Sequence, residues 1–271
     1  MNCPKHPLPP DFDWEFYLEH HPDLGQAGID TKELAIGHFL AYGRFEKRAY
    51  ASRTIVPNPK YENASVLVVG TSREIEIFDD RRLAERLEEK LQILCINTAF
   101  HYFNRISCLF LNGRFTEFDL AETKGKVIDE VYAPIGCISY DVKVQNFSVV
   151  ASLDRYSPEI STDLNKPLPH GPTTMLDIVF PFCAFHKVGR IHIIGAEYNT
   201  ENHRQHRHIR DASYLDRTTT SMDRELEYTF ALRKLDAWHD YFHRNNMECF
   251  ALSPHSKTPF MKKNLSDLLN E

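Results

Sequence analysis

The chain has 271 residues, enough for one large domain or a medium domain with a small appendage, and enough to fold without disulfide or metal staples. Its 42% apolar, 26% charged and 12% aromatic residues describe a globular protein and exclude a disordered, collagen-like or coiled-coil chain. A net charge of −6 supplies no global positive field for a phosphate backbone, so nucleic acid is not an expected partner.

Taken in chain order, residues 1–55 read as a small helical appendage. After a proline-rich lead, FDWEFYLEHHPDL and TKELAIGHFLAYGRFEKR place apolar and aromatic residues at helical spacing, separated by Pro22 and the turn from Gly25 to Gly28. Residues 56–64, with Pro57 and Pro59 and no amphipathic period, read as a linker. The main domain is expected over 65–271, where SVLVVG, LQILCIN, ISCLFLN, RIHIIGA and MECFALS are short, β-branched runs bounded by turns. Between them DDRRLAERLEEK, TTMLDIVFPFCAFHKVG and MDRELEYTFALRKLDAWHDYFHRN are amphipathic, and the last presents Leu226, Phe230, Leu232, Leu235, Trp238 and Phe242 as a core face. This alternation predicts an α/β, Rossmann-like, mostly parallel open sheet with helices on both faces.

No run approaches the roughly 18 apolar residues of a membrane span, and MNCPKHPLPP lacks the apolar core of a signal peptide, which makes the cytoplasm the expected location. Cys3, Cys95, Cys108, Cys137, Cys183 and Cys249 are widely spaced without a CxxC pair, as free thiols in a reducing compartment would be. Lys257, Lys262 and Lys263 form a small basic group suited to peripheral contact with an anionic membrane surface.

Several chemistries lack their signatures. After the first strand only Gly70 stands where a dinucleotide fingerprint needs three glycines, and there is no Walker lysine loop, GxSxG elbow or HExxH. In NHRQHRH the three histidines His203, His206 and His208 alternate with polar and basic residues, and the word itself holds no carboxylate or cysteine, so a polar loop is expected there and neither metal nor cofactor is called for.

Ligands of open α/β sheets sit beyond the carboxyl ends of the strands, which directs attention to Asn97, Asn112 and the turn from Gly195 to Tyr198. Asparagines in such places also cap helices and turns. In LPHGPTTM, Gly171 allows close backbone approach while Thr173 and Thr174 supply a cap and hydroxyls ahead of an apolar helix; the segment suits either a phosphate or ribose contact or an ordinary helix start.

Together, VVGTSREIEIFDDRRL, CINTAF, LFLNGRF, HGPTTMLDIVFPFCAFHKVGRIHIIGAEY and CFALSPHSKTPF resemble, in that order, the bacterial sialyltransferases that use CMP-sialic acid and the related Kdo transferases. The resemblance spans residues 65–260 and rests on spacing and short words. It implies a metal-independent glycosyltransferase that moves a sialic acid or Kdo type of sugar from a CMP donor to a glycan or lipid-linked glycan acceptor in surface-polysaccharide synthesis, such as capsule or lipopolysaccharide. Gly70, Thr71 and Ser72 match the nucleotide loop, without the second glycine and proline usual there. Asn97 and Asn112 match two donor-binding asparagines, and Gly171, Thr173 and Thr174 the phosphate and ribose turn. Gly195, Glu197 and Tyr198 match a Gly-x-Asp word with glutamate replacing aspartate, and Ser253, His255 and Ser256 a late turn near the cytidine.

His206 and His208 both lie where the family places a catalytic histidine. An imidazole there would serve as base in an inverting transfer, with Tyr198, Tyr214 or Arg204 assisting the departing phosphate. A retaining transfer would instead use Glu197 or Asp211 as nucleophile. The competing expectations are a catalytically inactive nucleotide- or sugar-binding protein of the same fold, and a transferase using another nucleotide-sugar. The appendage resembles a short module that accompanies bacterial surface-polysaccharide glycosyltransferases, on Phe12, Asp13, Tyr17, Leu18, Pro22, Asp23, His38, Gly43 and Arg48.

Overall fold

The computed structural model describes residues 8–9, 12–46, 48, 50, 55–111, 123, 125–134, 144–147, 149–150, 159–166, 168–169, 173–196 and 221–270.

The N-terminal helices are α1 (Trp14–His20), α2 (Pro22–Gln26) and α3 (Lys32–His38), the last running into a π-helical turn over Phe39–Gly43. Asp13 caps α1 by accepting from the Phe16 amide at 3.0 Å, and Thr31 caps α3 through the Leu34 amide at 3.4 Å. Tyr17, Leu24, Ala35, Phe39 and Tyr50 close a small core of their own. The Tyr17 hydroxyl meets His38 Nδ1 at 2.8 Å, and a side chain at Gly43 would collide with that hydroxyl. Arg48 bridges Asp23 at 2.8 Å. The residues that carry the module's sequence pattern are thus caps, core and a clasp inside the module itself.

The main sheet contains β1 (Ser65–Val69), β2 (Gln92–Ile96), β3 (Arg105–Phe110), β4 (Val127–Pro134), β5 (Val144–Phe147), β8 (Arg190–Ile194), β9 (Glu248–Ala251) and β10 (Met261–Lys262). Among the described residues two further short strands, β6 (Val149–Val150) and β7 (Leu168–Pro169), pair with each other. The main order is β10-β9-β8-β1-β2-β3-β4-β5, and every neighbouring pair is parallel. Parallel strands buried on both faces need continuous apolar runs, which SVLVV, QILCI and RIHII provide.

Alternation then divides the core. Val66, Val68, Leu94, Ile96, Ile191 and Ile193 face one layer, with α5 (Phe180–Phe185), its leading π-helical turn Met175–Val179, and α6 (Ser221–Arg244). Leu67, Val69, Ile93, Cys95 and Ile194 face the other layer, with α4 (Arg81–Lys90), α7 (Leu265–Asn270) and the 3₁₀ segments Arg73–Asp79 and Asn97–Tyr102. This is the expected Rossmann-like α/β architecture. Cys95, Cys108, Cys183 and Cys249 are buried free thiols, and burial holds each of them protonated. Among the described residues no helix is long and apolar enough to cross a membrane.

The segment joining the two cores, read from its prolines as a linker, packs on the sheet. Tyr61 is fully buried against Phe182 and donates to the Ser107 carbonyl at 2.9 Å. Asn58 binds twice: its amide donates to His186 Nδ1 at 2.9 Å and its side chain to Glu130 Oε1 at 2.6 Å. Because Nδ1 accepts, the His186 proton resides on Nε2, facing the Tyr132 hydroxyl at 3.5 Å, and Tyr132 in turn bonds Glu130. Burial, helped by the positive charge of Lys60, pushes His186 down to about 4.

The unfolded chain therefore takes up this proton first as pH falls from about 6.5 towards 4, and stability declines across that window. Urea unfolding at pH 7 and pH 4.5 should show a loss about 2 to 3 kcal/mol larger in the native protein than in His186→Asn, which keeps an acceptor but no titrating ring.

Candidate active site

From β1 the chain steps outward in one direction through β2, β3, β4 and β5, whereas β8, β9 and β10 extend the sheet the other way. The switch point therefore lies between the carboxyl ends of β1 and β8, the position at which open α/β sheets form their ligand crevice. Gly70 and Gly195 terminate these two strands. The Gly70 amide donates to the Ile194 carbonyl at 2.8 Å and the Ser72 amide to the Gly195 carbonyl at 3.0 Å, so pairing continues past the strands themselves.

Neither position has room for a side chain. A Cβ on Gly70 would strike the Gly195 carbonyl, and one on Gly195 would come within 2.5 Å of Ile75 Cγ2. Gly195 also has φ +79, a left-handed conformation open chiefly to glycine.

The flanks of the crevice are polar. On the β1 side Ser72 caps the 3₁₀ segment, accepting from the Glu74 amide at 3.4 Å, and Thr71 beside it is half-buried. Next to it, Asn97 follows β2 with φ 51, which asparagine tolerates better than other side-chain-bearing residues. On the β9 side buried Ser253 donates to Glu74 Oε1 at 2.7 Å, a strap from the turn after β9 to the turn after β1 across the end of β8.

The rest of that turn is fixed internally. The Ser253 hydroxyl accepts from the His255 amide at 3.2 Å, Ser256 and Thr258 hydroxyls meet at 2.8 Å, and Lys262 Nζ donates to the Ser256 carbonyl at 2.7 Å. Lys262 is thereby engaged within the protein, and its partial burial lowers the pKa of its ammonium. His255 stands exposed.

Thr173 and Thr174 open the helical layer that ends beside the start of β8. Thr173 acts as the cap, its hydroxyl accepting from the Leu176 amide at 3.3 Å. Its own amide donates to Asp177 Oδ2 at 3.2 Å, and the same carboxylate holds Lys234 of α6 at 2.7 Å through Oδ1. The Phe180 amide reaches back to the Met175 carbonyl, and the next donor in that π-helical ladder would come from residue 181, a proline without one. The Leu176 carbonyl, left over by Pro181, is taken by the Trp238 indole at 3.1 Å.

The structure thus brings Gly70, Ser72, Gly195 and Ser253 into one bonded or contacting group, with Thr71, Asn97, His255 and Ser256 on adjoining turns. Asn112, Gly171, Glu197, Tyr198, His206, His208 and Asp211 lie outside the described residues, as do His203, Arg204, Tyr214, Cys3 and Cys137. Among the described residues no group of three His, Cys, Asp or Glu side chains could hold a metal.

Three polar residues at the site escaped the sequence reading: Glu74, Asp177 and Lys234. The last two had a signal. An aspartate within TTMLDIVFPF and a lysine between Ala231, Leu235 and Trp238 on a helical stripe both place charge where apolar side chains belong. A small hollow lined by Glu88, Gln92, Arg105 and Ser107 lies at the opposite, amino-terminal edge of the sheet.

No protein-family model matches the chain, and no curated protein matches it by sequence. Among solved structures it superposes on the MAf glycosyltransferase from Magnetospirillum magneticum AMB-1 with a TM-score of 0.53 at 12% identity. The likeness is one of fold. It covers 88% of this chain and 43% of the other, so this chain spans less than half the length of that enzyme.

Steric closure at the switch point predicts a graded glycine series. Gly70→Ala and Gly195→Ala should each lower unfolding free energy by about 2 kcal/mol or more. Gly125→Ala shares the positive φ of Gly195 but has open space, and should cost only about 1 kcal/mol, as urea melts of the three variants would show.

Proposed function

We propose that the protein is a glycosyltransferase whose nucleotide-sugar donor occupies the crevice between β1 and β8. The observation that carries this reading is the glycine pair Gly70 and Gly195. It brings the ends of β1 and β8 together at the switch point through backbone alone, and we assign to the donor site the hydroxyl and amide groups of Thr71, Ser72, Asn97, Thr173, Thr174, Ser253 and Ser256. The fold shared with a known glycosyltransferase supports the same reading.

The donor we propose is a CMP-linked keto-acid sugar of the sialic acid or Kdo type, on the order of the sequence words that resemble those transferases. Gly70 to Ser72 and Asn97 would hold the nucleotide, Thr173 and Thr174 its phosphate or ribose, and the turn from Ser253 to Ser256 the base. In an inverting transfer His206 or His208 removes the acceptor hydroxyl proton as its oxygen bonds to the anomeric carbon, and the bond from that carbon to the CMP phosphate breaks. In a retaining transfer Glu197 or Asp211 first bonds to the anomeric carbon as the bond to the CMP phosphate breaks, and the acceptor hydroxyl then displaces the carboxylate, giving its proton to the released phosphate. The acceptor is a glycan, free or lipid-linked.

Calorimetric titration with CMP, UDP and GDP in the presence of chelator tests the donor assignment. Selective CMP binding is expected, weakened about tenfold by Asn97→Ala through loss of one or two hydrogen bonds. Selective binding of UDP or GDP would replace the CMP-sugar by another nucleotide-sugar. Nucleotide binding with no sugar transfer to any glycan acceptor would favour the inactive binding protein, and no binding at all would overturn the site.

A further inference from the structure

Asp177 and Lys234 are 8% and 2% exposed, set among Met175, Leu176, Ile178, Leu235 and Trp238. A buried ion pair is seldom a gain in stability over well-packed apolar residues, because both charges lose their hydration. What this pair does accomplish is local. Asp177 uses one oxygen on Lys234 and the other on the Thr173 amide, so the carboxylate clamps the first helical turn from within the core. The α6 helix grips the same turn a second time through Trp238 on the Leu176 carbonyl.

The clamp acts at the level of the crevice. The helical layer runs from Thr174 back to Phe185, about 17 Å, which matches the length of a five-residue strand, and it ends beside the start of β8. Its head therefore stands at the height of the strands' carboxyl ends. Without the ammonium, Asp177 Oδ1 loses the 2.7 Å contact that orients the carboxylate, and its hold on the Thr173 amide loosens.

We propose that Asp177 and Lys234 are positioning residues of the donor site: Lys234 holds the Asp177 carboxylate in place, and Asp177 fixes the turn that presents Thr173 and Thr174. This inference rests on the reading that the turn belongs to the donor site.

The test compares binding of CMP, UDP and GDP, under conditions where each protein is fully folded, for the native chain, Lys234→Met, Asp177→Asn with Lys234→Met, and Asp177→Ala with Lys234→Met. Asparagine keeps an acceptor for the Thr173 amide once the Lys234 ammonium is gone; alanine does not. Lys234→Met should weaken binding about tenfold or more, the asparagine double variant should return to within about threefold of the native protein, and the alanine double variant should again lose about tenfold.

Native binding by Lys234→Met, or equal binding by the two double variants, would overturn the positioning role while leaving the donor site standing. Should Lys234→Met fail to fold, the two uncharged double variants decide alone. A native protein that binds none of the three nucleotides would overturn both the donor site and the role built upon it.

Discussion

Between the carboxyl ends of β1 and β8 two backbones approach so closely that neither Gly70 nor Gly195 can carry a side chain. This contact is where the sheet reverses its direction of growth, and the rest of the site is arranged around it. The amide of Ser72 reaches the Gly195 carbonyl because the chains are this near, and Ser72 then caps the segment that carries Glu74. Glu74 receives Ser253, which ties the turn after β9 to the turn after β1. A side chain at either glycine would meet the Gly195 carbonyl or Ile75 and push these turns apart. The same constraint thus shapes the fold and the space available to a ligand.

Two polar networks flank this arrangement. Where the chain enters the main domain, His186, Tyr132, Glu130 and Asn58 lock it onto β4 and α5. At the carboxyl-terminal edge, Asp177 and Lys234 hold the head of the helical layer. Groups of this kind add little net stability, yet each partner left alone would be costly, so the networks define geometry more than they add to free energy. The first fixes how the chain enters the domain, and the second fixes a turn beside the crevice.

Much of this was legible in the sequence. SVLVV, QILCI and RIHII are short and apolar because central parallel strands are buried on both faces, and the glycines, asparagine and serines that follow β1, β2, β8 and β9 stand out against those runs. The fourth strand, VIDEVYAP, was not recognised, since Asp129 and Glu130 interrupt its pattern and only the Asn58 and Lys60 contacts explain Glu130 there. Pro57 and Pro59 made residues 56–64 read as a linker, although Tyr61 is part of the core. Lys234 was invisible as a site residue because its partner lies 57 positions away, a distance no local pattern spans.

The central claim is that the crevice above Gly70 and Gly195 is the ligand site, and the most direct measurement is hydrogen exchange of backbone amides with and without saturating CMP. The account predicts slowed exchange in the segments around Gly70–Ser72, Asn97, Thr173–Leu176 and Ser253–Thr258. Unchanged exchange in all four segments, or protection concentrated instead around Glu88–Ile93 and Arg105 at the opposite edge of the sheet, would contradict it.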